Sequence, residues 1–419
     1  MEEQAIGKVS SRSIKNDSCS AGKLCRTMIR SIAIFFAIST LFILIKLSDV
    51  YSLKQIPVRY PIPAAKVVTK ESQTTTYPDT KVTLGPPGKP KLILSWTPGP
   101  GWDYMHLRDY AKPVFKSLGC KIDNCIYTED KSLADKSDAI VFIARSLGRK
   151  PKKLPHQRWV WVTHESSCYS GEAGGAWAGM FNWTMTFRRD STIFTPYQFV
   201  VEREKPLAKN FTAIALKKTK SVAWMVSNCH TKSNRERYVA ELKKLIPVDV
   251  YGGCGPLKCS KRDNERCLEN INRDYKFYLS FENSISTDYV TEKFWKMLDR
   301  DIVTVTRGPA NYSRVGIKPE WHINTNDFKS PKDLAAYLKY LDKNVTAYVQ
   351  YLEWKNQYTT GNRLKAYCDL CAKLNDPSEP VTWFRPGTLA NWFNKGHCIA
   401  PKDLNFKRRK RRQTDTFIY

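Results

Sequence analysis

Three stretches of the chain bring together residue types that could do chemistry. The first is FENSISTDYVTEKFW (281–295), directly after the aromatic run YKFYLS (275–280). There an apolar, β-favouring segment stops at Glu282, Asn283 and Ser284, and Tyr289-Val-Thr-Glu-Lys reads as the start of a helix. Open α/β sheets bind ligands beyond the carboxyl ends of their strands, where helix N-termini bring a positive dipole. A lysine at such a start, Lys293, suits a phosphate or pyrophosphate. The plainer alternative is an ordinary capped helix with an exposed Lys–Glu pair. The second stretch places Arg235 and Arg237 at the opening of a helix after SVAWMVSN (221–228). A guanidinium there can hold a diphosphate bidentately, or can simply sit in a solvated first turn. The third is HESSCYS (164–170) after RWVWVT (158–163). Glu165, at a strand end in the mouth of a cleft, is a candidate general base, with a structural carboxylate as the alternative.

Regular elements must position these residues. Short apolar runs recur as KLILSW (91–96), AIVFIA (139–144), RWVWVTH (158–164) and MFNWTMTF (180–187). Polar and helical stretches separate them, the pattern of buried parallel strands with crossovers. The plan repeats in SVAWMVSN, VDVYG (248–252), KFYLSF (276–281) and DIVTVTRG (301–308). Helices are predicted over 234–246, over 289–299, and from Pro331 with Ser330 as its cap. Two βα halves facing a cleft follow.

The chain has 419 residues, a hydrophobic fraction of 42% and a formal charge of +28. That is enough for two core-bearing domains, and the excess base favours an anionic partner. Residues 31–45 carry no charge, and Met28, Ile29 and Leu47 extend the run once Arg30 and Lys46 snorkel. Basic residues precede it, so the positive-inside rule places the N-terminus in the cytosol. The expected organisation is a cytosolic tail (1–30), a transmembrane signal anchor (31–47) and a Pro/Thr-rich stem (48–90). A first α/β domain (91–210), a second α/β domain (211–371) and a C-terminal segment (372–419) then follow. A cleaved signal peptide and a buried core helix are the alternatives for the span. Ten of the twelve cysteines follow the span, where an oxidising lumen allows up to five disulfides. Sequence leaves their pairing open, and YCDLC (367–371) reads as structural rather than zinc-binding. Asn182, Asn210, Asn311 and Asn344 head glycosylation sequons, Asn182 within a strand-like run of poor access. KRRKRR (407–412) reads as a solvated basic tail or a convertase site.

The run YKFYLSFENSISTDYVTEKFW resembles the signature of the α1,3-fucosyltransferases, glycosyltransferase family 10, whose donor is GDP-fucose. RWVWVTHES, FNWTMTFRRDS, VAWMVSNCHTKSNRERYVAEL, VDVYGGCG and DLAAYLKYLDKNVTAYVQYLEWK resemble further family segments in the same order, covering about residues 91–371. The resemblance implies an α/β fold of GT-B type, with two Rossmann-like domains facing a cleft, on a Golgi membrane protein. It implies inverting transfer of L-fucose from GDP-β-L-fucose to O3 of N-acetylglucosamine on glycoprotein or glycolipid glycans. By the same resemblance Glu165 is the base, Arg235 and Lys293 bind donor phosphate, and Asn283, Tyr289 and Glu292 contact the donor. No cofactor or metal is expected, since protein cations carry the diphosphate; Asp299-Arg300-Asp301, a literal DxD, reads as turn chemistry. Three positions depart from the family pattern: Ser167 replaces the proline of ESP, and Phe187 and Thr192 alter YRRDSD. They lie on the acceptor side, so antenna and chitobiose-core N-acetylglucosamine both remain open. An inactive Golgi glycan-binding protein is the non-enzymatic alternative; a nucleic-acid binder fits neither the span nor the luminal cysteines. Oligomeric state is left open.

Overall fold

Strands that are apolar at almost every position must be covered on both faces, which selects parallel sheets. RWVWVT is buried from end to end, and KFYLSF nearly so. The computed structural model describes residues 74–76, 88–97, 114–171, 174–260, 262–361 and 363–404. All belong to one compact unit spanning residues 61–419. The tail 1–30, the expected span 31–47, most of the stem and KRRKRR lie outside the described residues. Among the described residues no helix is long and apolar enough to cross a membrane.

Two parallel sheets form the core. Numbering their strands alone, the first holds β1 (Lys91–Ser95), β2 (Cys125–Thr128), β3 (Ala139–Ile143), β4 (Arg158–Thr163), β5 (Trp183–Thr186) and β6 (Ile193–Phe194). Their order is β2-β1-β3-β4-β5-β6. The second holds β7 (Lys220–Met225), β8 (Val248–Tyr251), β9 (Tyr275–Phe281), β10 (Val303–Arg307) and β11 (Ile323–Asn324), ordered β8-β7-β9-β10-β11. The two sheets thus wind alike, and both keep their loops of interest at the carboxyl edge.

Several expectations change. The helix expected over 289–299 is a single turn, Glu292–Trp295, capped by the Thr291 side chain. Tyr289, Val290, Phe294 and Trp295 instead join the aromatic cluster of Phe142, Trp159 and Trp161 against the first sheet. The segment after β9 therefore leaves the second sheet and anchors in the core of the first. Helix Ala366–Asn375 also returns to the first sheet, burying Tyr367, Leu370 and Leu374 among Ile93, Val141 and Val160. Disulfides Cys120–Cys368 and Cys125–Cys371 fasten it there. A domain boundary at 371 cuts through this helix, because its apolar face belongs to the earlier half. Within the stem, Thr74–Thr76 pairs antiparallel with Thr382–Phe384, so the proline-free threonine tract does form a strand.

Candidate active site

The carboxyl end of β9 delivers Glu282, and burial of this carboxylate dominates the local electrostatics. Its oxygens accept from the Thr291 backbone N–H at 2.8 Å and from the Thr291 hydroxyl at 2.9 and 2.7 Å. Lys293 Nζ lies 3.3 Å from Glu282, 2.8 Å from Glu292 and 2.9 Å from Thr291 Oγ1. Burial pushes the Glu282 carboxyl up, against the pull of Lys293. Burial pulls the Lys293 ammonium down, but Glu282 and Glu292 outweigh it and hold the group above the ordinary lysine value. Burial also pushes Glu292 up, yet Lys293 beside it keeps that carboxyl below its usual range. Lys293 is therefore a fixed cation, one-fifth exposed, between a buried and a half-exposed carboxylate.

Arg235 opens its helix behind this cluster rather than in the cleft. It is buried, and it donates to the carbonyls of Phe281 at 2.7 Å and Asn228 at 3.2 Å. It thus ties the carboxyl ends of β9 and β7 together, while its Nε has no hydrogen-bond partner among the described residues. Arg237 points outward. Asn283 accepts from Ser284 Oγ at 3.2 Å, and its carbonyl accepts from the Ser233 N–H.

Glu165 follows β4 on the facing edge. Its Oε1 accepts from Arg145 at 3.3 Å, whereas Oε2 is buried without a hydrogen-bond partner among the described residues. The loop behind it docks on the segment after β9: Ser284 donates to Ser166 at 2.5 Å, and the Ser167 and Ser286 hydroxyls lie 3.1 Å apart. The Lys232 N–H donates to Tyr169 at 3.1 Å. Tyr289 stands between the two edges, its ring 5.0 Å from Phe187 and 6.2 Å from Tyr197. Burial first, then the charges of Glu282, Glu165 and Glu292, push its phenol far above the ordinary value. Tyr289 therefore stays protonated, and Glu165 and the Lys293 cluster share one electrostatic neighbourhood. A cavity of about 570 Å³ lined by Lys220, Asp249, Tyr275 and Lys339 opens at the opposite, amino edge of the second sheet, away from all these groups.

Residues 88–198 match the family model described as fucosyltransferase, N-terminal, and residues 215–386 match glycosyltransferase family 10 (fucosyltransferase), C-terminal. The chain is 34% identical over 333 residues to the glycoprotein 3-alpha-L-fucosyltransferase A of Drosophila melanogaster, covering 77% of this chain and 64% of that protein. It is 34% identical to the alpha-(1,3)-fucosyltransferase C of the same fly, covering 73% and 76%. The human 4-galactosyl-N-acetylglucosaminide 3-alpha-L-fucosyltransferase FUT6 is 35% identical, with 72% and 82% covered. The chain belongs to glycosyltransferase family 10. A crystal structure of an alpha1,3-fucosyltransferase with GDP aligns at 17% identity and a TM-score of 0.43, covering 66% of this chain and 85% of that one.

The positions that depart from the family pattern are all engaged. Ser167 makes the contact to Ser286 described above. Phe187 is buried between Tyr289 and Phe393. The Thr192 N–H donates to Thr184 Oγ1 at 3.0 Å, and its own hydroxyl accepts from the Thr184 N–H. Both aspartates of the DxD are engaged by neighbouring side chains. Asp299 accepts from Thr359 and Thr360, Asp301 pairs with Lys209 at 2.6 Å, and Lys355 donates to the carbonyls of Met297, Arg300 and Ile302. Among the described residues no cluster of His, Cys, Asp and Glu could hold a metal ion.

Of the four sequons, Asn182 is corrected: it is fully buried, donates to Thr382 O at 2.8 Å and accepts from Lys153 and Trp159. Its amide nitrogen is out of reach in the folded protein. Asn210, Asn311 and Asn344 cap helical turns through Oδ1, so Nδ2, the atom that carries an N-linked glycan, is outside the capping bond; that of Asn344 donates to the Tyr340 hydroxyl at 3.1 Å. Sequence reasoning missed Arg145, Tyr197 and Thr291. Arg145 alone left a trace, as a cation just past a buried strand.

Proposed function

We propose that the chain transfers L-fucose from GDP-β-L-fucose to O3 of an N-acetylglucosamine residue of a glycan, with inversion at the anomeric carbon. The reading treats the two facing sheets as a GT-B arrangement, held in the Golgi lumen by the apolar segment 31–47. The observation that carries it is Glu165: one oxygen is oriented by Arg145, and the other is buried without a hydrogen-bond partner among the described residues. Such an oxygen keeps a lone pair that no donor among the described residues occupies, and it takes a hydroxyl proton once the acceptor gains access to it. Glu165 takes the proton of the acceptor hydroxyl as the oxygen bonds to the anomeric carbon. The bond from that carbon to the β-phosphate oxygen breaks, and GDP leaves with the electron pair.

Lys293 meets the developing charge on the diphosphate, where a pre-fixed cation is worth far more than in water. The phosphate takes the place of Glu292 on Nζ, freeing that half-exposed carboxylate for donor hydroxyls. Asn283 and Tyr289 complete the donor wall. Arg235 adds positive charge at short range from behind, while fixing the two strand ends. No step calls for a metal or cofactor.

The test is the full-length protein with labelled GDP-fucose and a panel of antenna and chitobiose-core acceptors, followed by linkage analysis. An α1,3 product on N-acetylglucosamine is expected, and the panel decides between antenna and core. Glu165→Gln should cut kcat by about 10²–10⁴ while sparing GDP binding; retained turnover would remove Glu165 as the base.

A further inference from the structure

The family matches lie within residues 88–386. The described residues continue to residue 404, and this last stretch converges on the site from behind. Cys398–Ile399 pairs antiparallel with Ile285–Ser286, immediately after Asn283 and Ser284. Cys398 is also disulfide-bonded to Cys168, three residues beyond Glu165. Cys398 is thus bonded covalently to the loop of the base and paired through the backbone with the strand extension on the donor side. The neighbours lock the junction. His397 Nδ1 lies 2.9 Å from Thr287 Oγ1. Asp403 holds the buried Arg307 through two contacts of 2.6 and 2.7 Å, and Arg307 donates to Ser233 O at 2.7 Å. Phe393 packs against Trp161 of β4, with ring centroids 4.9 Å apart.

Among the described residues, the Glu165 loop is also tied across the cleft by the Ser166–Ser284 and Ser167–Ser286 hydroxyl pairs and the Tyr169–Lys232 bond. Single hydroxyl bonds are modest in net terms. A displacement of about 1 Å at a reacting group can cost about 10²-fold in rate. We propose that the Cys168–Cys398 bridge, backed by residues 387–404, is a positioning device that holds Glu165 in register with the donor side, so that turnover depends on it. The proposal rests on Glu165 as the base. Cys168 and Cys398 touch no substrate; they act through Glu165.

The experiment is a cycle in the full-length protein: wild type, the paired variant Cys168→Ser/Cys398→Ser, Glu165→Gln, and all three substitutions together. The expected result for the bridge-less enzyme is a kcat lower by roughly 10- to 100-fold, with GDP affinity and the KM for GDP-fucose unchanged. The triple variant should be no slower than Glu165→Gln alone, since the bridge has nothing left to position. The control pair Cys259→Ser/Cys267→Ser removes a disulfide between cysteines eight residues apart in the second-sheet half and should keep wild-type kcat. Wild-type kcat without the Cys168–Cys398 bridge, or a further independent loss in the triple variant, overturns the proposal. If the bridge-less protein does not fold, mild reduction of the folded wild type decides. A kcat that falls in step with the appearance of free Cys168 and Cys398 thiols, read by mass spectrometry, supports the proposal, and an unchanged kcat with both thiols free overturns it. Turnover surviving Glu165→Gln itself sinks the base assignment instead, and so distinguishes the two failures.

Discussion

Substituting Lys293 by methionine leaves the fully buried Glu282 with Thr291 but without its counter-ion. Breaking a buried pair from one side costs about 3–5 kcal/mol, because an uncompensated charge stays behind. Lys293→Met should therefore lower both the melting temperature and turnover. Adding Glu282→Gln, which keeps an oxygen to accept from Thr291, should restore most of the stability and none of the turnover. Recovery of activity along with stability would show Lys293 to be structural only. His164 offers a second separation. Burial pulls its imidazole down to about 3, so above that pH it stays neutral and takes up no proton between roughly pH 5 and 8. NMR of ring-labelled protein should show the His164 resonances flat across that range; a titration there would make His164 a rival base beside Glu165. Glu165 and Lys293 are legible in sequence because each stands where a buried run turns abruptly polar. The pairing of Lys293 with Glu282 is not, since it depends on how the chain turns between residues 282 and 293. Arg235 is legible as a cation at a strand end but not in its direction: the backbone carbonyls of Phe281 and Asn228 draw it inward.

The loop VYGGCG shows what can be read at the level of elements. Its glycines mark the turn after β8, but sequence does not say which of them tolerate a side chain. A Cβ on Gly255 would lie 2.0 Å from Val250 O, and one on Gly252, at φ +92°, would lie 2.7 Å from Val226 O. Both obstacles are backbone and cannot rotate away. Gly253 would meet nothing closer than 3.4 Å. Thermal melts should therefore show a large loss for Gly255→Ala and a small one for Gly253→Ala. Equal effects would mean that flexibility, not close approach, selects these glycines. The long strands are legible for a different reason: an unbroken apolar run admits few alternatives. β2, β6 and β11 have four, two and two residues, too few to show a period. The helix expected over 289–299 fails because its apolar residues bury in the neighbouring core. Asp288 takes a left-handed φ of +58°, and Thr291 starts a single capped turn instead.

For the whole molecule, sequence yields two repeated α/β halves but not the route by which the chain ends. Cysteine pairing is a property of tertiary distance, and no spacing rule links residues 120 and 125 to the YCDLC pair. The consequence is thermodynamic. Cys120–Cys368 and Cys125–Cys371 span 248 and 246 residues, yet they lie side by side. With Cys168–Cys398 in place, either one alone closes a loop through residues 120–168 and 368–398, which removes about 4–5 kcal/mol of chain entropy from the unfolded state. With one in place, the other closes only a short ring through residues 120–125 and 368–371, worth about 2–3 kcal/mol. The paired substitutions Cys120→Ala/Cys368→Ala and Cys125→Ala/Cys371→Ala should each cost only that smaller amount and leave a folded protein. Removing all four cysteines should cost about 7 kcal/mol, more than the two pairs summed and comparable to the whole stability of a domain. Helix Ala366–Asn375 would then detach from the first sheet and expose Ile93, Val141 and Val160. Urea titrations of the three variants check this: simple additivity would mean that the unfolded chain is already held compact by other contacts, and that the two bridges act locally.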